Sequence, residues 1–96
     1  GLEVLRERFI ENFNDEAVIF LIRDDLASRY DLRANEQYTK TDRIGWKAIA
    51  NRGENKELLL SRLLRYDNKC EIVSPKSYRD EMKQILESAL KNYGEI

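Results

Sequence analysis

The sequence predicts a small α+β fold in which one antiparallel sheet carries two helices on one face. Two kinds of segment lead to this prediction. Apolar runs rich in β-branched residues, typical of strands, alternate with segments whose apolar residues recur at steps of three and four, typical of helices. From residue 17 onward the order is β-α-β-β-α-β, with a further helix toward each end of the chain. This order is the split βαβ, or ferredoxin-like, pattern.

The composition is that of one ordinary globular domain. The chain has 96 residues, of which 42% are hydrophobic and 36% are charged, and its formal net charge is -1. This length suits a single domain with a modest core. No apolar run approaches the roughly 20 residues that span a bilayer, and the charged N-terminus lacks the apolar region of a signal peptide. We therefore expect a cytoplasmic protein with no membrane partner.

Catalytic and metal-binding signatures are missing from the sequence. The chain has no histidine and one cysteine, Cys70, so it lacks the commonest general base and a soft metal site. The Asp24-Asp25 pair lacks the ligand spacing of a calcium loop and is better explained as a helix cap with a solvated neighbour. No nucleophile elbow is present. We therefore expect a non-enzyme with no cofactor and no metal, in which Cys70 is a core residue.

The first half of the chain predicts a helix, a central strand and a short helix. Residues 2–13 carry an apolar helical stripe. Residues 17–22 are continuously apolar, which indicates a central strand buried on both faces. Asp24 is expected to cap a short helix that ends near Asp31. The stripe of the first helix consists of Leu2, Leu5, Phe9 and Phe13, widened by Ile10.

A hairpin and a second helix follow. Residues 36–41 predict a polar edge strand, and residues 46–50 predict its return strand, with Gly45 taking a positive φ angle in the turn. Asn55 is expected to cap a helix over residues 56–66. Asp67-Asn68 is expected to end that helix, because asparagine tolerates the left-handed conformation. The apolar face of the helix consists of Leu59, Leu60, Leu63 and Leu64, with Tyr66 at its end.

The last strand and the terminal helix meet at a Ser-Pro break. Residues 70–73 predict the strand, and Ser74 is expected to cap the helix with Pro75 at its first position. We expect Trp46 of the return strand and Ile85 of this helix to be largely buried. The apolar face of the helix consists of Tyr78, Met82, Ile85, Ala89 and Tyr93, with Leu86 and Leu90 beside it.

Five basic residues are candidates for contact with a ligand or a nucleic acid. Basic residues interleaved with aromatic ones on a sheet can hold single-stranded nucleic acid or an anionic metabolite. Arginine side chains that flank a helix end can bind phosphate or carboxylate through a bidentate fork. The alternative for all five is a solvated or salt-bridged surface role. The residues are Lys40, Arg43 and Lys47, near Tyr38 and Trp46, and Arg29 and Arg33 at the end of the first short helix.

Three segments taken in order resemble one known module. They are the apolar strand at 18–22, the pair of segments at 45–49 and 58–66, and the Glu-Ile-Val-Ser-Pro block at 71–75, continued by Arg79 and the helix to Tyr93. Together they resemble the C-terminal extension, or WCX domain, of bacterial WYL-domain transcriptional regulators. The resemblance implies a ferredoxin-like domain over residues 17–96, used for regulation or oligomerisation. Residues 1–16 then correspond to a linker helix from an upstream WYL domain.

The resemblance also implies partners and a function. Such regulators carry a winged helix-turn-helix and a WYL domain before this extension, and DNA would be bound only through those domains. We expect a non-catalytic domain of a transcriptional regulator that forms a homodimer through its terminal helices or the uncovered face of its sheet. The alternative is an ACT-like sensor that binds a small molecule, since the same element order suits it. An RNA-binding module is a weaker alternative, because the middle strands lack a run of aromatic residues on one face.

Overall fold

The computed structural model describes residues 17–94, and the helix predicted over residues 2–13 lies outside this range. Four antiparallel strands form one sheet in the order β2-β3-β1-β4. This confirms a small α+β domain built on an antiparallel sheet. The strands are β1 Val18–Arg23, β2 Glu36–Thr39, β3 Trp46–Asn51 and β4 Cys70–Ser74; the helices are α1 Asp24–Ala27, α2 Lys56–Leu64 and α3 Lys76–Lys91, with a 3₁₀ turn at Asp67–Lys69.

Strand β1 lies in the middle of the sheet, as its continuous apolar sequence predicts. It pairs with β3 on one side and β4 on the other, so that Phe20 lies opposite Ile49 and Ile72. On the face that the helices cover, here called the helix face, Phe20 is fully buried. On the opposite face Leu21 is also buried, beside Ala48 of β3. Both faces of the strand are therefore removed from water.

Helix α2 supplies most of the cover on the helix face. Leu59 and Leu63, one turn apart, are fully buried against the sheet, and Leu60 is also buried. Leu64, predicted on the same apolar face, is 37% exposed. The predicted cap is confirmed, because the Asn55 side chain accepts a hydrogen bond from the Leu58 N–H at 3.1 Å. The core cluster consists of Val18, Phe20, Ile22, Leu26, Ile49, Leu59, Leu60, Leu63 and Ile72.

Helix α1 is shorter than predicted. Asp24 is its first residue rather than its cap, and the Asp24 N–H donates to the Gly45 carbonyl at 3.0 Å. The helix ends at Ala27 instead of near Asp31, and the next turn is tightened by a bond from the Tyr30 N–H to the Ala27 carbonyl. Tyr30, three residues beyond the end of the helix, bonds inside the domain through its hydroxyl, as described below.

Two further helix boundaries differ from prediction. Ser74 is the last residue of β4, paired with Ile19, so Pro75 takes the position before α3 and no side chain caps that helix. After α2 the left-handed residue is Asp67, with φ 54°, rather than the predicted Asn68. The predicted positive φ at Gly45 is confirmed at 88°.

Helix α3 contacts the domain less closely than α2. Its partly buried Tyr78, Met82 and Ile85 pack against the core cluster, and none of its residues is fully buried. Farther along, Leu86 is 49% exposed and Tyr93 is 81% exposed. The first half of the predicted apolar face therefore packs against the core, whereas the second half, from Leu86 onward, is exposed. Ile85 and Trp46, predicted to be largely buried, are both only partly buried.

Candidate functional site

The five basic residues singled out in the sequence fall in different parts of the domain. Arg29 and Arg33 line one pocket with Arg62. Arg43 contacts Trp46, while Lys47 lies beside Asp24 on the helix face. Lys40 is exposed in the loop after β2. The structure thus keeps the pair at 29 and 33 together and separates the other three.

The pocket that holds Arg29 and Arg33 lies between the segment after α1 and helix α2. Its volume is about 340 Å³. The Tyr30 and Tyr66 rings meet edge to face there, with 6.0 Å between their centroids. Both guanidinium groups belong to exposed residues, whereas the Arg62 side chain is only 9% exposed. The lining consists of Leu26, Arg29, Tyr30, Asp31, Arg33, Arg62 and Tyr66.

A buried polar network lies directly behind this pocket. Its centre is the ion pair between Arg62 Nη2 and Glu36 Oε2, at 2.9 Å, in which the Glu36 side chain is fully buried. Arg62 Nη2 also contacts Glu54 Oε1 at 2.8 Å, and Arg62 Nη1 donates to the Tyr30 hydroxyl at 2.7 Å. Asn51 donates to both carboxylates, at 2.8 Å to Glu36 and 2.9 Å to Glu54. These bonds join the segment after α1 to strands β2 and β3 and to helix α2.

Each oxygen of the Glu36 carboxylate accepts two hydrogen bonds. Oε1 accepts from the Tyr30 hydroxyl at 2.7 Å and from the Arg33 N–H at 3.1 Å, while Oε2 accepts from Asn51 and Arg62. Burial by itself raises the pKa of Glu36, but these four donors outweigh burial and hold the pKa below its ordinary value. The carboxylate therefore stays ionised at neutral pH.

The pKa values of Tyr30 and Arg62, which donate hydrogen bonds to Glu36, are raised, whereas that of Glu54 is lowered. Burial, and then the bond to Glu36, raise the pKa of Tyr30, so the phenol stays protonated. Burial lowers the pKa of Arg62, but the bonds to Glu54, Glu36 and Tyr30 raise it further than burial lowers it. The bond from Arg62 also lowers the pKa of Glu54. None of these groups is held near neutrality as an acid–base catalyst would be.

This network was not predicted from the sequence. One signal was available: Arg62 lies three residues after Leu59 and one before Leu63, on the apolar face of a predicted helix. A charge at such a position requires a buried partner. The sequence pattern does not identify this partner, because Glu36 is brought to the site by the β2–β3 register, which places it opposite Asn51.

A second group of arginines lies on the sheet face opposite the helices. The Arg23 and Arg43 guanidinium carbons lie 4.6 Å and 4.3 Å from the centroid of the Trp46 ring. Glu71 accepts a hydrogen bond from Arg43 at 2.7 Å and another from Arg79 at 2.9 Å, and these two bonds lower the pKa of Glu71. Two guanidinium groups already pack against the partly buried Trp46 ring, so a base would have to compete with them for stacking on that ring.

Lys47 and Tyr38 lie on the helix face, away from Trp46. They border a cleft of about 470 Å³ together with Asp24, whose carboxylate is 3.9 Å from the Lys47 ammonium. The pairing of Lys47 with Ile22 and of Trp46 with Arg23 fixes this separation, because adjacent strand residues point to opposite faces. The hairpin therefore does not form the combined basic and aromatic surface considered from the sequence.

An apolar groove runs between α3, β4 and the end of α2. Its volume is about 420 Å³. Burial raises the pKa of Cys70, which lies in its wall, to about 12, so the thiol stays protonated and is a poor nucleophile at neutral pH. The groove is lined by Leu63, Leu64, Asp67, Cys70, Glu71, Ile72, Arg79, Met82, Lys83, Leu86, Glu87 and Leu90.

No protein-family model matches the chain, and no curated protein matches it. Within residues 17–94, no group of three or more histidine, cysteine or acidic residues is arranged to hold a metal ion. No helix in the same range has the length and apolar character needed to cross a bilayer.

Proposed function

We propose that this chain is a non-catalytic regulatory and oligomerisation domain of the WCX type, which in a longer regulator would follow a WYL domain and a helix-turn-helix. The observation that carries this proposal is the uncovered apolar surface of α3. Leu86 is 49% exposed and Leu90 is 43% exposed, and both border the apolar groove. Contiguous exposed apolar surface of this kind marks interaction sites.

The arrangement of the sheet supports the same proposal. The order β2-β3-β1-β4 has its two middle strands, β1 and β3, adjacent and antiparallel, with the two longer helices on one face. A ferredoxin-like domain connects its elements in this way, and the resemblance in sequence points to such a domain. Helix α3 follows the edge strand β4, so its outer side is available to a neighbouring molecule.

The partner proposed for the groove is a second copy of this chain. In a two-fold pair each copy presents both an uncovered α3 stripe and a groove, so the two surfaces are buried together. Lys83 and Glu87 lie one turn apart on the rim of the groove and give it both signs of charge. A symmetric neighbour can therefore pair each charge with the opposite one.

Sedimentation equilibrium at tens of micromolar tests this proposal. The chain is expected to sediment as a dimer, and Leu86→Lys is expected to shift it to the monomer mass. Leu58→Lys is the matched control, because Leu58 is a 67% exposed leucine outside the groove. A monomeric mass for the unaltered chain, or equal effects of the two substitutions, would refute the proposed interface.

A second candidate function is an ACT-like sensor of small molecules. The pocket of Arg29 and Arg33 favours it, because concave sites with a few convergent polar groups and aromatic walls are typical of ligand binding. The two functions are compatible, since the pocket and the α3 groove share no lining residue. Saturable binding of a small molecule at the pocket would support the sensor function.

A further inference from the structure

We infer that the pocket lined by Arg29, Arg33 and Arg62, here called the arginine pocket, binds a small organic anion through a single carboxylate or phosphate group. The inference deepens the sensor function proposed above and does not depend on dimer formation. It rests on the free hydrogen-bonding capacity of the three arginines, on the rigid support behind them and on the apolar part of the wall.

The two arginines at the rim have no carboxylate partner within residues 17–94. The Arg29 guanidinium donates one bond, to the backbone carbonyl of Asp25 at 3.2 Å. The Arg33 side chain makes no hydrogen bond or ion pair in that range, and its charge acts on Glu54 only from a distance, where it helps to lower the pKa of that carboxyl. By contrast, Arg43 and Arg79 are both paired with Glu71. Arg29 and Arg33 therefore offer unpaired planar N–H edges, which match the two oxygens of a carboxylate or phosphate.

The third arginine contributes a buried donor. Four of the five N–H groups of Arg62 are used, by the two Glu54 oxygens, by Glu36 and by the Tyr30 hydroxyl. The fifth, on Nη1, has no acceptor in the described part of the chain. The Arg62 side chain is only 9% exposed and lines the pocket, so a ligand oxygen can supply the missing acceptor.

The polar network fixes this site in position before any ligand arrives. Glu36 holds the Tyr30 hydroxyl and the Arg33 backbone N–H through one oxygen and Arg62 through the other. One buried carboxylate thus positions both the back of the pocket and the main chain of its rim. Because these groups are already held in place, binding costs little conformational entropy, which favours affinity for a small ligand.

The rest of the lining limits the kind of anion. Leu26, Tyr30 and Tyr66 form an apolar and aromatic wall, and a volume of about 340 Å³ is near the small end for ligand sites. Asp31, on the same lining, offsets part of the positive charge of the three arginines, so the pocket favours a ligand with one negative group over a ligand with two. The ligand class is therefore a small molecule with one anionic group and a compact apolar or aromatic part.

Nuclear magnetic resonance titration at constant ionic strength tests the site. The probes are benzoate, phenyl phosphate and the neutral benzamide. Either anion, or both, should give saturable shifts at the amides of residues 29–36 and 62–66, while benzamide gives none there. Tighter binding of benzoate assigns the site to carboxylates, and tighter binding of phenyl phosphate assigns it to phosphates. Equal shifts with all three probes would overturn the inference.

Substitutions connect the binding to the named arginines. Arg29→Gln and Arg33→Gln should each lower the affinity for the anion roughly tenfold, as expected for the loss of a hydrogen bond to a charged group. Arg65→Gln is the matched control, since Arg65 is exposed and lies outside the pocket lining. All three residues are exposed, so unaltered thermal unfolding is expected and should be verified. An equal loss in Arg65→Gln would show general charge attraction and overturn the site.

The Leu86→Lys variant separates this inference from the proposed dimer. Leu86 lies outside the arginine pocket, so the variant should bind the anion as tightly as the unaltered chain, whatever its mass. Loss of binding together with dissociation would mean that the pocket needs the second copy, which contradicts a site complete within one chain.

Discussion

Helices α2 and α3 both lie against the helix face of the sheet, but they are held there in different ways. Helix α2 is fixed by fully buried leucines and by Arg62, whose guanidinium bonds four side-chain oxygens. Helix α3 is nearly twice as long, with 16 residues against nine, yet none of its residues is fully buried. The comparison separates an element that holds the domain together from one that presents a surface.

The difference follows from where each helix lies in the chain. Helix α2 connects β3, an interior strand, to β4, so it crosses the middle of the sheet and covers Phe20 and Ile49. Helix α3 follows β4, which is an edge strand, and its last turns extend beside the groove. Apolar residues placed there, such as Leu90, are available to a neighbouring molecule.

The largest predicted loss of stability follows from removing Glu36, the buried partner of Arg62 in helix α2. Glu36→Ala should reduce the free energy of unfolding by about 3–5 kcal/mol, because it leaves the Arg62 charge buried without one of its partners. Urea unfolding measures the loss. Glu57→Ala, in the exposed first turn of α2, is the control and should have little effect. A loss below about 1 kcal/mol in Glu36→Ala would mean that water enters the site and replaces the carboxylate.

A series of substitutions to alanine sharpens the comparison between the helices. Leu63→Ala in α2 should cost about 2–5 kcal/mol, since the side chain is 1% exposed. Ile85→Ala, in the middle of α3 where the side chain is partly buried, should cost about 1 kcal/mol, the typical value for a point mutant. Leu86→Ala should stay within about 0.5 kcal/mol when measured on the monomer. Equal costs at positions 63 and 86 would show that α3 is as firmly packed as α2.

The sequence predicted the features that depend on residues close together in the chain, and it did not predict those that depend on residues far apart in the chain. The central strand and α2 were predicted because their patterns are local: a continuous apolar run, and leucines one turn apart. The starts of α1 and α3 were misplaced because Asp24 and Ser74 are engaged by neighbouring strands, through Gly45 and Ile19. Such long-range bonds leave no local pattern.

The candidate sites show the same limit. Arg29 and Arg33 were grouped correctly because they are four residues apart in one segment. Arg43 and Lys47 are also four apart, but Arg43 lies in the loop before β3 and contacts Trp46, whereas Lys47 lies on the opposite face of β3 from Trp46. The third member of the arginine pocket, Arg62, was missed because its reason for burial lies 26 residues away, at Glu36.

Acid should weaken the network before it affects the apolar side of the domain. The pKa values of Glu36 and Glu54 are lower in the folded chain than the ordinary 4.5 for glutamate, so the unfolded chain binds more protons as the pH falls. The free energy of unfolding is therefore expected to be highest above about pH 4.5 and to decline as the pH drops through the folded pKa values. Urea midpoints between pH 7 and pH 3 measure this slope.

The Glu36→Gln variant is the control for the acid prediction. It keeps the shape of the side chain and removes the charge that titrates. Its unfolding free energy should be lower at neutral pH and should decline less steeply in acid. A slope equal to that of the unaltered chain would mean that other carboxylates, such as Glu71 between its two arginines, govern the acid response.

The smallest expected effect is on DNA binding. The net charge is -1, and the basic residues do not form one surface: Arg43 is paired with Glu71, Lys47 lies beside Asp24, and Arg29 and Arg33 face a small pocket. Binding to duplex DNA requires several cations that follow the phosphates together. A mobility shift at physiological salt should therefore show nothing tighter than about 10⁻⁶ M. Tighter binding that depends on DNA sequence would place a recognition surface on this domain and contradict its assignment to regulation and assembly.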